Sequence, residues 1–159
     1  KTYSMTGWRI GYVAAPADVV AGAVKMQQNV LLSVCSFAQA GAVAALQGPQ
    51  VCVENMVTEF ARRRRVILEG VSHSPGLSAL TDPRGAFYVF VRHDIPGKDS
   101  SVLADYLLDH GGVAVVPGTA FGASGEGFLR CSYATDVEQI KEAMRRMAEF
   151  VRGLGKRAR

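Results

Sequence analysis

At 159 residues, with 48% hydrophobic and 20% charged residues, the chain can form one sizeable domain, or one domain and a piece of another, and its composition is that of an ordinary soluble globular protein. No uninterrupted apolar stretch reaches the length of a bilayer, because the Ala-rich region 13–46 is broken by Pro16, Asp18, Lys25 and Gln27. The net charge of +4 sits largely in Arg62 to Arg65 and in Arg152, Lys156, Arg157 and Arg159, with no aromatic residues interleaved as a stacking platform, which argues against nucleic acid as a partner.

In chain order, residues 11–15 are apolar without alternation and end at Pro16, the signature of a short buried strand. A helix follows from Ala17 or Asp18, with Val19, Val20, Ala23, Val24 and Met26 on its apolar side. Ser36 is a candidate cap for a second helix over residues 37–46, closed by Gly48-Pro49. Apolar residues at helical spacing from Val53 to Val71 predict one long helix over residues 50–71, roughly 30 Å in length. On it the arginine run has Glu54, Glu59 and Glu69 within reach and reads as a solvated face.

Beyond the turn at Ser74-Pro75-Gly76 the pattern becomes mixed α/β. Residues 85–92, GAFYVFVR, predict a strand; Ser100 or Ser101 caps a helix through Leu108, closed by Gly111-Gly112. Short strands are predicted over residues 113–116 and 128–134, with the glycine-rich stretch between them read as a flexible lid. Asp136 caps a last helix over residues 137–152, with Gln139 at the capping-box position, and the tail beyond Gly153 is expected to fray. Cys35, Cys52 and Cys131 are widely spaced, without a CxxC pair or histidines at ligand spacing, so no metal site is expected and the thiols read as small apolar side chains in a reducing compartment. His73, His93 and His110 are isolated and read as surface or capping residues, whereas Trp8 and Tyr12 read as core.

Three segments carry chemistry. The first, KTYSMTGWRIGY, places Lys1 eight residues before Arg9, across a Thr6-Gly7-Trp8 turn. The second runs from Val113 through Pro117, Gly118, Phe121 and Gly122 to Gly125-Glu126-Gly127 and Arg130-Cys131-Ser132-Tyr133-Ala134; the third is Pro83 to Phe90. In this order they resemble the K-x-x-x-M-T-G-W-R-x-G-Y, V-x-V-x-P-G-x-x-F-G with G-E-G-x-x-R-x-S-Y-A, and P-x-G-A-F-Y-V-F elements of the class I/II aminotransferases that use pyridoxal 5'-phosphate, the aspartate aminotransferase-like branch of fold type I.

The resemblance implies an α/β fold made of the end of the large cofactor-binding domain (residues 1–49), a long interdomain helix (50–73) and a small C-terminal α/β domain (74–159). In proteins like this more than half of the polypeptide precedes the lysine, so the chain is expected to be the C-terminal part of a longer enzyme, inactive alone and dependent on closure of its two domains. Lys1 is implied as the catalytic residue that forms the Schiff base with the cofactor and then moves the Cα proton, Arg9 as the grip on the cofactor phosphate, and Arg130 as the ligand of the substrate α-carboxylate. Arginine suits both anions because its planar donors meet two oxygens at once. The implied reaction is amino-group transfer between an amino acid and a 2-oxo acid, in a cytoplasmic homodimer without nucleic-acid or membrane partners. Lyases and synthases of the same fold share these residues, and a non-catalytic sensor domain is a further alternative. The loop VLLSVC at residues 30–35 departs from the polar version in many relatives and argues against recognition of a dicarboxylate.

Overall fold

The computed structural model describes residues 1–157, and side chains as far as Leu154. Two compact units divide the chain, Lys1–Met56 and Val57–Arg159.

The first unit holds a 3₁₀ turn at Thr6–Trp8, helix α1 (Ala17–Val30), helix α2 (Ser36–Gln47) and the start of helix α3 (Val51–Ser72). Residues 11–15 form no strand: Tyr12 is 81% exposed and Val13 is exposed as well. An apolar run becomes a strand only when a neighbour pairs its backbone groups, and the unit contains no strand among its described residues. Ser36 is the first residue of α2, Cys35 takes the cap position, and no side chain caps that end. Gly48 ends the helix in an extended conformation; its need for glycine is spatial, since an added Cβ would stand 2.7 Å from the Ala44 carbonyl oxygen. Only Ala38 is buried in α2 and nothing is buried in α1, so the apolar positions that predicted the helices lie open, with Leu32 85% exposed in the loop between them.

The second unit is built on a four-stranded antiparallel sheet in the order β1-β2-β4-β3, with β1 Leu77–Ala79, β2 Tyr88–His93, β3 Val116–Pro117 and β4 Phe128–Ser132. Strict alternation sorts β2 and β4: Val89, Val91, Leu129 and Cys131 are buried, while Tyr88, Phe90, Arg92, Phe128, Arg130 and Ser132 take the other face. Helix α4 (Ser100–Gly111) brings Leu103 and Leu107 to the core and helix α5 (Val137–Arg157) brings Ile140, Met144 and Met147, where they meet Ile67 and Val71 of α3. Gly70 lets α5 come close, because a Cβ there would lie 2.5 Å from Met144 Cγ. The opposite face of α5 is laced by ion pairs of Glu142 with Arg145 and Arg146 at 2.7 Å, which hold the Glu142 carboxyl down at about 2.

Several ends differ from the sequence expectation. Asp99 caps α4, accepting the Val102 N–H at 2.8 Å, because Ser100 has turned inward and is fully buried. Asp136 does cap α5, accepting the Gln139 N–H at 2.9 Å. That helix runs through Gly153 to Arg157 instead of fraying, since Leu154 still packs on the core; residues 158–159 lie outside the described residues. Of the arginine run, Arg62 and Arg63 pair with Glu59, but Arg64 turns to Asp82 and donates to the Pro83 carbonyl.

Candidate active site

The segment that begins at Lys1 is folded by its own backbone. Ser4 N–H donates to the Lys1 carbonyl at 3.0 Å, and the Thr6–Trp8 turn delivers Arg9 in the left-handed region at φ 53°. That conformation is uncommon outside glycine, and here Arg9 Nη1 returns to the Thr6 carbonyl at 3.1 Å, which leaves the other guanidinium donors for a ligand. Tyr3 Oη donates to Gln50 Oε1 at 3.0 Å and Ser4 Oγ approaches Met56 Sδ at 3.5 Å, fastening the segment to the start of α3. Trp8 rests on α2, edge-on to Phe37, at the point where Gly41 has no Cβ: one there would lie 2.6 Å from Trp8 Cζ3. With 47% of its surface exposed, Trp8 is a prop rather than the core residue the sequence suggested, and Tyr12 is not buried at all.

Between this segment and α2 lies a concavity of about 1010 Å³ in which Lys1, Arg9 and Tyr12 all take part. An amine and a guanidinium lining one concavity suit a ligand carrying both an aldehyde and a phosphate.

Arg130 belongs to the second unit, on β4, opposite Phe90 of β2 and Val116 of β3. Its guanidinium carbon lies 4.3 Å from the centroid of Tyr88 and 4.2 Å from that of Phe121. Half-buried between the two rings, it has no hydrogen-bond or ion-pair partner among the described residues. Tyr88 and Phe121 were given no role at the site from the sequence, although the alternation of Tyr88 and Phe90 with Val89 and Val91 marks an aromatic face turned away from the core.

The glycine-rich loop that holds Phe121 is pinned, not a free lid. Its 3₁₀ turns at Gly118–Phe121 and Ala123–Gly125 press together so closely that a Cβ on Gly118 would overlap the Gly125 carbonyl, and one on Gly125 the Gly118 carbonyl. Glu126 Oε1 accepts from Ser100 N–H at 2.8 Å, Ser100 Oγ–H at 3.0 Å and Gly127 N–H at 2.9 Å. These donors hold its carboxyl below the usual range, the backbone N–H of Ser100 foremost. His93, 6% exposed rather than superficial, brings Nε2 to 3.3 Å from Ser100 Oγ; burial pushes its pKa down, and its buried Nδ1 has no hydrogen-bond partner among the described residues. Of the other histidines, His73 does cap, with Nδ1 at 2.8 Å from the Glu69 carbonyl, and His110 lies in the last turn of α4. Burial also raises the Cys131 thiol to about 12, which leaves it inert.

Comparison with known proteins gives the family. The family model of aminotransferase class I and II matches residues 1–147. The aspartate aminotransferase of Pyrococcus horikoshii is 39% identical over 155 residues, covering 96% of this chain and 39% of that protein. The aromatic-amino-acid aminotransferase 2 of Thermococcus litoralis is 39% identical over 154 residues, with coverage of 96% and 39%. A crystal structure of the aromatic aminotransferase from Pyrococcus horikoshii superposes with a TM-score of 0.89 at 41% identity, covering 99% of this chain and 42% of that one. The chain therefore spans about two fifths of the length of these relatives, and over that span it belongs to the class I and II aminotransferases.

Proposed function

We propose that this chain is the C-terminal part of a pyridoxal 5'-phosphate-dependent aminotransferase that moves an amino group between an amino acid and a 2-oxo acid. The observation that carries the reading is the placement of Lys1 and Arg9 on one concavity, in a chain of this family. The cofactor, when bound, supplies an aldehyde that captures amines and a ring that draws electrons from the substrate Cα.

The rest falls to side chains of the chain itself. The Lys1 amine would hold the aldehyde and, when freed, would take the proton from the substrate Cα as the C–H bond breaks. Arg9 meets the phosphate with its remaining donors, and Arg130 takes the α-carboxylate, fixing which Cα bond is aligned for cleavage. Residues 1–49, 50–73 and 74–159 are proposed as the end of the large domain, the interdomain helix and the small domain.

We further infer a cytoplasmic homodimer with no nucleic-acid or membrane partner. The three free cysteines suit a reducing compartment. Among the described residues no helix is long and apolar enough to cross a membrane. The open apolar side chains of α1 and α2 suit a surface covered by further protein.

The test is borohydride reduction of the full-length protein with its cofactor, followed by peptide mapping. The label is expected on Lys1, and a label on any other lysine would sink the assignment. Stimulation of turnover by a second 2-oxo acid separates transamination from elimination or condensation.

A further inference from the structure

Arg130 is held in an aromatic slot whose two walls are each backed by further rings. Tyr88, diagonal to Arg130 across the β2–β4 pairing, packs on Phe87 at 4.6 Å, and Phe87 stacks on Phe60 of α3 at 5.9 Å. Phe121, the second ring against Arg130, meets Phe90 edge-on at 5.6 Å, and Phe90 meets Phe128 at 6.4 Å. Phe121 is delivered by the turn that the Gly118 and Gly125 backbones lock together.

A guanidinium has two faces and an edge. Here two rings lie against it, their centroids 4.2 and 4.3 Å from the guanidinium carbon, and no carboxylate or carbonyl bonds its N–H groups among the described residues. An isolated arginine side chain samples many rotamers, and fixing it on binding costs entropy. The two rings restrict that freedom before any anion arrives and leave the N–H groups for a two-point bond to a planar carboxylate.

We propose that Tyr88 and Phe121 are positioning residues that hold Arg130 in place for the carboxylate of the substrate. The proposal rests on the reading of Arg130 as the carboxylate ligand. The rings touch the arginine rather than the reacting atoms, so their effect belongs to discrimination between substrates with and without a carboxylate.

The experiment takes the full-length protein with its cofactor, finds the fastest amino acid in a panel of the common twenty, and compares it with the amine of the same side chain that lacks the carboxylate. The quantity read is the ratio of the two kcat/KM values. Phe121→Leu and Tyr88→Leu are each expected to lower that ratio roughly three- to tenfold, the scale of a desolvated cation–π contact. Phe121→Tyr restores the ring and returns the ratio to that of the unmodified protein. Calorimetric titration with the carboxylic acid of the same side chain, lacking the amine, reads the same weakening without turnover.

Phe121 is 50% exposed, so its substitution leaves the core intact. If Phe121→Leu and Tyr88→Leu slow both substrates equally and leave the ratio unchanged, the rings are packing alone and the proposal is overturned. Arg130→Ala separates the two levels: an unchanged ratio there removes the carboxylate reading itself, whereas a collapsed ratio beside unaffected ring variants removes only the positioning role. Failure of every amino acid in the panel overturns the proposed function together with this inference.

Discussion

Glu126 accepts the backbone N–H of Ser100 at 2.8 Å, joining the loop after β3 to the first residue of α4. The bond is charge-assisted, which is why the carboxyl is held below its ordinary range. A carboxylate with a lowered folded-state pKa contributes stability that is present above its unfolded value and lost as pH falls through the folded one. Amide hydrogen exchange at Ser100 and Gly127 is therefore expected to quicken, beyond its intrinsic pH dependence, only on the acid side of the usual carboxylate range. In Glu126→Gln, which keeps an acceptor and drops the charge, exchange is expected to be quicker at neutral pH and the acid transition to vanish.

His93 has the same sign for a different reason. Burial without a partner for Nδ1 favours the neutral ring, so the unfolded chain takes up its proton at a higher pH than the folded one. Stability is expected to be constant above the unfolded value of about 6.5 and to decline below it until the folded value is reached. An NMR titration of the His93 ring is expected to place its midpoint below the ordinary histidine value. A midpoint at or above that value would refute the burial argument.

Gly118→Ala tests the pinned loop. The new Cβ would meet the Gly125 carbonyl, a backbone atom that cannot swing aside as a flexible side chain would. A loss of about 3 kcal/mol is expected from overpacking of this kind, measured by urea unfolding, together with weaker carboxylate binding because Phe121 rides on the same turn. Gly127→Ala makes a contrast: nothing lies near its Cβ, and only the strain of φ +82° is felt.

Arg9→Ala is expected to weaken pyridoxal phosphate binding by roughly ten- to a hundredfold, the loss of a charge-assisted pair, read by absorbance titration of the unloaded protein. Arg9→Lys keeps the charge and loses the second donor, so it is expected to recover part of that affinity. Unchanged binding in both variants would remove Arg9 from the phosphate.

The elements that were legible in the sequence carry their own local signals. Helices α3 and α5 have long 3.6-residue periodicity, and Asp136 is a cap that needs nothing beyond its neighbours. Residues 11–15 failed as a strand because pairing depends on a distant partner that no local pattern contains. Ser100 was read as a cap because serine often is one; its hydroxyl serves Glu126, Gly127 and Phe128 instead, contacts made across 26 to 28 residues of sequence. Lys1, Arg9 and Arg130 stood out through motifs, while Tyr88 and Phe121 acquire a role only once β2, β4 and the loop are brought together.

The alternation in β4 ties two properties of the molecule to one number. Leu129 and Cys131 point to the core and Arg130 points away, so a slip of one residue against β2 would drive the guanidinium inward and push Leu129 out among the rings. Such an isomer could hide neither error: a buried lone cation and an exposed leucine would both raise its energy. Folding thus acts as quality control on recognition, and molecules that pass it present Arg130 on the correct side of the sheet without any separate step of assembly.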